Sequence, residues 1–380
     1  MKEIKFVHKR IGNDHLVWFK NSNLYFKLEE PAWFVFSRVA KKQQSATIAT
    51  EFSAQYKQSH EDSLRFVTEL RERIDTMNYS PPATEMPQTP RKEISKQKFT
   101  AFSRHYYHLL NTVVAFSYET EWLENYIHPL LQHLKTDKSA AKKSEFELFT
   151  FENRVVFRRD DTVIGDWPTN KSEYVKGRIL LELANVLYHK TDSDWLMTLH
   201  ASAITNGHKT ILFSAAPGSG KTTFAALLQA HGYRILSDDF VPLQQGSFNA
   251  YPLPLAMSVK PGSLDLLTEL YPELKNSQLT RANTNKIVKY LPIDAETTQM
   301  VFPVNEIVFI KYDSAEDFLL ERVEPIDALN TIIDEAWIPP TPENVEKFME
   351  RVAKTSFYKL TYSNNKKAIN AITQMFENDQ

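Results

Sequence analysis

Apolar and polar positions change period several times along the chain, and each change marks an element. From His15 to Lys20 and from Leu24 to Leu28, β-branched and aromatic residues flank the polar turn Asn21-Ser22-Asn23, which predicts a β-hairpin. Three helical patterns follow. Pro31 sits where a first-turn proline is tolerated, ahead of Trp33, Phe34, Phe36 and Val39. Ser45 is placed to cap a helix carrying Ile48, Ala49, Phe52 and Tyr56, and a third begins near Ser59 with Leu64, Val67, Leu70 and Ile74 at helical spacing. The aromatic stripe reads most simply as core.

Beyond Asn78 the pattern lapses. Pro81, Pro82, Pro87 and Pro90 forbid a helix and favour extended chain, so residues 79–98 are expected to be a semi-stiff linker between a small domain, 1–78, and a large one, 99–380. In the large domain a helix is expected around Glu119 to Leu134, strands at Phe146 to Phe151 and Arg154 to Arg158, and an amphipathic helix from Tyr174 to Tyr188. The lysine-rich stretch between the first helix and these strands, Lys135 to Lys143, reads as a solvated turn. These form a lead-in layer, 99–190, to a core at 191–380. There a strand spans Trp195 to Ile204 with His200 inside it. A turn at Asn206-Gly207 and an apolar strand from Ile211 follow, then a helix from Lys221 to Ala230 and a strand from Tyr233 that ends in Asp238-Asp239.

Composition narrows the function. A net charge of −2 over 380 residues gives no electrostatic footprint for nucleic acid. The absence of cysteine removes disulfides, thiolate metal sites and thiol nucleophiles, so any metal must be held by oxygen or histidine. The N-terminal Met-Lys-Glu-Ile-Lys-Phe has no apolar targeting core, and no apolar run approaches the roughly eighteen residues of a membrane span. A cytoplasmic protein without a membrane partner is expected.

The chemistry concentrates at Ile211 to Thr223, where an apolar strand breaks into Ala215-Ala-Pro-Gly-Ser-Gly220 and opens a helix with Lys221-Thr222-Thr223. In the cofactor-binding loop of Pro217, Gly218, Ser219 and Gly220, backbone amides from Gly218 into the helix start converge on one spot, and the helix dipole favours an anion there. Lys221 is placed to reach the β- and γ-phosphates of ATP or GTP, and Thr222 to offer its hydroxyl to Mg²⁺. The first glycine of the usual phosphate-loop pattern is replaced by Ala215, which demands an ordinary φ at the strand exit. A Gly/Ser turn before an ordinary helix is the plainer alternative.

Asp238 and Asp239 should face the same crevice, because ligands bind beyond the carboxyl ends of strands in α/β sheets. Adjacent strand residues point to opposite sides, so one carboxylate can hold Mg²⁺ while the other accepts a proton from an attacking hydroxyl. A solvated Asp-Asp turn is the bland reading. A lone strand histidine such as His200 is more often a core residue than a catalyst, but it precedes the loop lysine by 21 residues, and the aspartate pair begins 17 residues after that lysine.

In this spacing the chain resembles the HPr kinase/phosphorylase catalytic domain, and more closely the HPr-kinase-related kinases encoded beside peptide-modification genes, over about residues 190 to 375. The likeness includes Pro252 to Ser263, Val304 to Tyr312 and Tyr358 to Tyr362. It implies an α/β P-loop kinase domain of the HPr kinase C-terminal type. Asp238 then matches the catalytic base, Asp239 a metal-binding carboxylate, and His200 the active-site histidine near the transferred phosphate. The family's glutamate signature after the aspartate pair is replaced by a stretch holding Lys260, a cation suited to phosphate but not to a second metal. That departure puts reverse phosphorolysis in doubt. Arg281, Lys286 and Lys289 compete for the later basic position, with Lys286 chosen, and each also reads as a surface cation.

Residues 5 to 77 resemble the PqqD-like family, small winged-helix-like α+β domains also called RiPP recognition elements. By that resemblance a ribosomally made precursor peptide is recruited by its leader as an added edge strand. The combined expectation is an ATP-dependent kinase acting on a hydroxyl, serine foremost, of such a peptide. HPr-kinase-like domains are commonly oligomeric, so a homo-oligomer is a further expectation. Two other readings stay open: a kinase of a small hydroxylated molecule such as free serine, and a nucleotide-binding adaptor without catalysis.

Overall fold

The computed structural model describes residues 3–79, 94, 97–283, 286–293 and 301–377. The four prolines of the expected linker lie outside the described residues. Ile94 lies inside them and is buried with Phe149, Val156 and Val163. The end of the expected linker therefore belongs to a core.

The chain divides into two compact units. One takes the described residues of Met1–Glu85 with Glu324–Asn330 and Ile338–Thr355, and the other takes the rest. The boundary drawn near residue 78 thus omits two later segments that return to the first unit.

In the first unit, strands β1 (Phe6–Ile11), β2 (Asp14–Phe19) and β3 (Leu24–Leu28) form an antiparallel sheet in that order, followed by α1 (Glu30–Ala40), α2 (Ser45–Tyr56) and α3 (His60–Tyr79). The expected hairpin is β2–β3, and β1 is an additional strand. Pro31 lies in the first turn of α1, as its missing N–H allows. Ser45 does not cap α2, since Gln44 holds that position, whereas Ser59 accepts from the Asp62 amide and closes the start of α3. Val17, Phe19, Phe34, Phe36, Phe52 and Val67 fill the core, so the aromatic stripe is structural. Helix Pro342–Val352 also belongs here, with Phe348 edge-on to Tyr25.

The second unit opens with a five-stranded sheet, β4 (Ser103–Leu109), β5 (Thr112–Tyr118), β6 (Lys142–Phe151), β7 (Arg154–Arg159) and β8 (Thr162–Pro168), and with helices α4 (Glu121–Leu131) and α5 (Ser172–Tyr188). Its core joins Tyr107, Phe116 and Phe146 to Leu123, Ile127 and Leu130 of α4 and to Ile179 and Leu183 of α5. Next come β9 (Trp195–Leu199), β10 (Ala201–Thr205), β11 (Thr210–Ser214), α6 (Lys221–Ala230), β12 (Arg234–Ser237) and β13 (Val241–Gln244). They enter a ten-stranded mixed sheet with strands Phe302–Tyr312 and Ser356–Tyr362, both of which continue it in parallel from β11. The architecture is α/β, but the sheet is mixed: β10 is antiparallel to both β11 and β12.

That antiparallel strand is what positions the site. Because β10 lies between them and runs the other way, the start of β10 and the ends of β11 and β12 meet at one edge. His200 does not sit inside one long strand. It occupies the break between β9, which pairs with β13, and β10, which pairs with β11 and β12. Among the described residues no helix is long and apolar enough to cross a membrane.

Candidate active site

The turn after β11 supplies the first part of the site. Gly218 and Gly220 both take positive φ, 94° and 98°, which glycine alone adopts at no steric cost. At Gly220 a Cβ would also lie 3.4 Å from Tyr312 Cβ. Ala215 does not take positive φ, so the replaced glycine is met by an ordinary strand exit. Gly220 is the N-cap of α6 and offers no side chain to its first amides, which leaves them to an external acceptor. Lys221 is buried and donates from Nζ to the Ala215 carbonyl, so the lysine is folded onto its own loop. Burial lowers its pKa, against the opposing pull of the Asp239, Glu335 and Asp238 carboxylates.

The two aspartates lie side by side but in different surroundings. Asp238 is 5% exposed and accepts from Ser202 Oγ at 2.5 Å on Oδ1 and from Thr222 Oγ1 at 2.9 Å on Oδ2. Burial, and then the neighbouring charge of Asp239, push its carboxyl up to about 6. Asp239 instead has φ of 69°, a left-handed conformation that aspartate tolerates better than most residues. A turn, rather than the alternation of a strand, therefore separates the two carboxylates.

Asp239 lines a 570 Å³ cavity together with His200, Pro217, Gly218, Gly220, Lys221, Thr222 and Thr223. His200 Nδ1 lies 3.0 Å from the Asp239 carbonyl oxygen, and Nε2 lies 3.7 Å from its carboxylate. The His200 amide donates to the Glu335 carbonyl at 2.8 Å, which fixes the bend. Asp238 does not line the cavity, and both of its oxygens are engaged. In the expected division Asp238 is the base and Asp239 the metal carboxylate; in the structure the carboxylate beside the loop threonine is Asp238, and the one lining the cavity is Asp239.

The remaining expected residues divide. Lys260 lines the cavity, with Nζ 4.0 Å from where a Cβ on Gly218 would stand. Ser219 donates from Oγ to the Ala216 carbonyl inside the loop, and Thr223 Oγ1 lies 2.6 Å from Ser263 Oγ. Lys289 is spent elsewhere, donating to the carbonyls of Leu274 and Lys275. The side chains of Arg281 and Lys286 lie outside the described residues.

Several site residues had no motif to announce them. Ser202 holds Asp238 and lies two residues after His200, a spacing that alternation along β10 could have flagged. Tyr126, Lys176, Leu180 and Phe240 line the cavity from outside the phosphate loop. Tyr290 is pushed up to about 12 by burial and the charge of Asp239, with its hydroxyl bonded to Ser258.

The donor set fits a nucleoside triphosphate with Mg²⁺. Free helix amides, Lys221 and Lys260 suit phosphate, while a hydroxyl and two carboxylates are the hard oxygen ligands that Mg²⁺ takes. No protein-family profile and no curated protein matches the chain. Among solved structures, the HPr(Ser) kinase/phosphatase from Coxiella burnetii matches with a TM-score of 0.21 and 11% identity, over 48% of this chain and 94% of that one. A likeness so slight assigns neither fold nor activity by itself.

Proposed function

We propose that the chain is a kinase that uses Mg²⁺ and ATP or GTP to phosphorylate a hydroxyl group. The observation that carries this reading is the 2.9 Å bond from Thr222 to buried Asp238, beside the Gly218–Lys221 turn and on the same cavity as Asp239 and His200. A plain Gly/Ser turn has no use for a buried carboxylate tied to a first-turn helix threonine.

A bound Mg²⁺–nucleotide supplies the phosphoryl group and neutralises its charge. Lys221 leaves the Ala215 carbonyl to meet phosphate oxygens, and Lys260 adds a second cation from across the loop. Thr222 and Asp238 form the metal-facing pair. Asp239 is the carboxylate with room to take the acceptor proton, oriented by His200.

The acceptor we propose is a serine hydroxyl of a ribosomally made precursor peptide, recruited by the first unit. Support comes from β3, an edge strand, and from a 600 Å³ groove that Lys27 and Leu28 of β3 share with Asp62, Arg65 and Phe66 of α3. Incubating the full chain with labelled ATP, Mg²⁺ and leader-bearing peptides tests the reading. Phosphopeptide formation supports it. Transfer to free serine alone favours the small-molecule kinase, and binding of nucleotide without any transfer favours the adaptor.

A further inference from the structure

Away from the phosphate loop, strand β4 and helix α4 bring a second set of polar side chains together. Residues two apart on a strand share a face, and residues four apart on a helix do likewise. Ser103, His105 and Tyr107 therefore project from one face of β4 toward Glu124 and His128 on one face of α4. Each contact is made: Ser103 Oγ donates to Glu124 Oε2 at 2.9 Å, His105 Nε2 lies 2.6 Å from Glu124 Oε1, and Tyr107 Oη lies 2.7 Å from His128 Nδ1. The two imidazoles stack with centroids 4.4 Å apart. One ligand atom from each of His105, Glu124 and His128 lies within 4.8 Å of the other two, the one such group among the described residues.

We propose that His105, Glu124 and His128 form a site for a divalent transition metal of the zinc class, distinct from the Mg²⁺ of the phosphate loop. Two imidazoles and a carboxylate are the donor set of a three-ligand zinc site, whose fourth position is left to water. Soft thiolate chemistry plays no part, since the chain has no cysteine. The outer partners are also of the right kind: Tyr107, fully buried, occupies Nδ1 of His128, so Nε2 is the nitrogen left for a metal, while Ser103 holds the second carboxylate oxygen. Metal–ligand bonds of about 2.0–2.2 Å in a tetrahedron separate ligand atoms by roughly 3.4 Å. The His105–Glu124 pair therefore opens by under an ångström, and the ion takes the place of the proton that now bridges it. That proton moves to Nδ1 of His105 or to solvent.

The site would cross-link β4 to α4. Tyr126, between the two helical ligands in sequence, lines the phosphate-loop cavity, so the metal fastens the far side of the helix that walls that cavity.

The full chain, stripped with chelator, is titrated with Zn²⁺ against a chromophoric competitor, and with Co²⁺ read by its visible spectrum. One equivalent is expected, with X-ray absorption showing two imidazoles among nitrogen and oxygen ligands only. His128→Asn and Glu124→Gln should each weaken binding by at least about 100-fold, and Tyr107→Phe by about 10- to 100-fold, as loss of an outer partner does. Circular dichroism of the metal-free variants guards against simple misfolding, and Glu124→Gln keeps a side chain of nearly the same shape. Failure to bind an equivalent, or unchanged titration in both ligand variants, overturns the proposal. So does loss of the equivalent in Asp239→Asn, because the ion would then belong to the phosphate-loop cavity. A phosphate loop without kinase activity would leave the zinc result unaffected.

Discussion

Asp238→Asn should make the nucleotide-free protein more stable at neutral pH while weakening its use of Mg²⁺. Asp238 titrates near 6 in the fold against 3.8 as an ordinary side chain. A carboxyl whose pKa is raised by folding favours the native state fully below the unfolded value, and loses that advantage as pH rises through the folded value. That rise corresponds to roughly 3 kcal/mol withheld from stability above neutral pH. An amide carries no charge and so has no such pH-dependent loss. Replacing one acceptor oxygen by an N–H facing Ser202 or Thr222 costs about 1 kcal/mol, since either hydroxyl can turn to accept. A net gain of roughly 2 kcal/mol at pH 7.5 is left, or about 4 °C in Tm at some 2 °C per kcal/mol for a unit of this size. The gain should fall to about a third at pH 5 and give way to a slight loss at pH 4, because the amide's cost of about 1 kcal/mol persists while the wild-type carboxyl takes up its proton. Thermal unfolding in chelator at the three pH values measures it. A variant less stable than wild type at pH 7.5, or a gain independent of pH, would refute the account of Asp238 as a buried charge held for function.

Three other outcomes follow from the same geometry. Lys221→Ala should weaken nucleotide binding by about 10- to 100-fold in calorimetry, the worth of one charge-assisted contact, and unchanged affinity would remove the phosphate-loop assignment. Asp239→Asn should cut turnover by about 10²- to 10⁴-fold with no rescue by excess Mg²⁺, whereas turnover of Asp238→Asn should be partly rescued; the opposite pattern in a Mg²⁺ titration would return the roles to those expected from sequence. Cognate leader peptide should slow amide exchange in Leu24–Leu28, and protection confined to the second unit would rule out strand addition there.

What the sequence made legible was local. The glycine turn with its lysine, the aspartate pair, His200 and Lys260 each lie in a short run whose residue types announce their chemistry, and all but Asp238 line one cavity, Asp238 being tied to it through Thr222. Strand β4 escaped notice because Ser-Arg-His-Tyr-Tyr-His-Leu has no clean apolar alternation; its inward face holds a histidine and a tyrosine paired across to α4. The return of Pro342–Val352 to the first unit is a long-range event that no local period encodes, although the helix itself is strongly amphipathic. Lys289 looked like a candidate cation until its tether to two carbonyls was visible, a contact between segments that spacing cannot foresee.

The division between the two aspartates shows how backbone conformation can overrule a correct rule of alternation. Had the strand continued, Asp238 and Asp239 would have pointed to opposite faces of the sheet, and only one would have met the site. The chain instead leaves β12 at Ser237, and the left-handed φ at Asp239 turns that residue into the cavity beside His200. Asp238 stays at the sheet edge, where antiparallel β10 presents Ser202 and α6 presents Thr222. Both partners of Asp238 are thus fixed by regular elements, while Asp239 and His200 both sit at breaks between elements. In the proposed roles, holding a metal-facing hydroxyl in one place gains from the first arrangement, and exchanging a proton with a changing acceptor gains from the second.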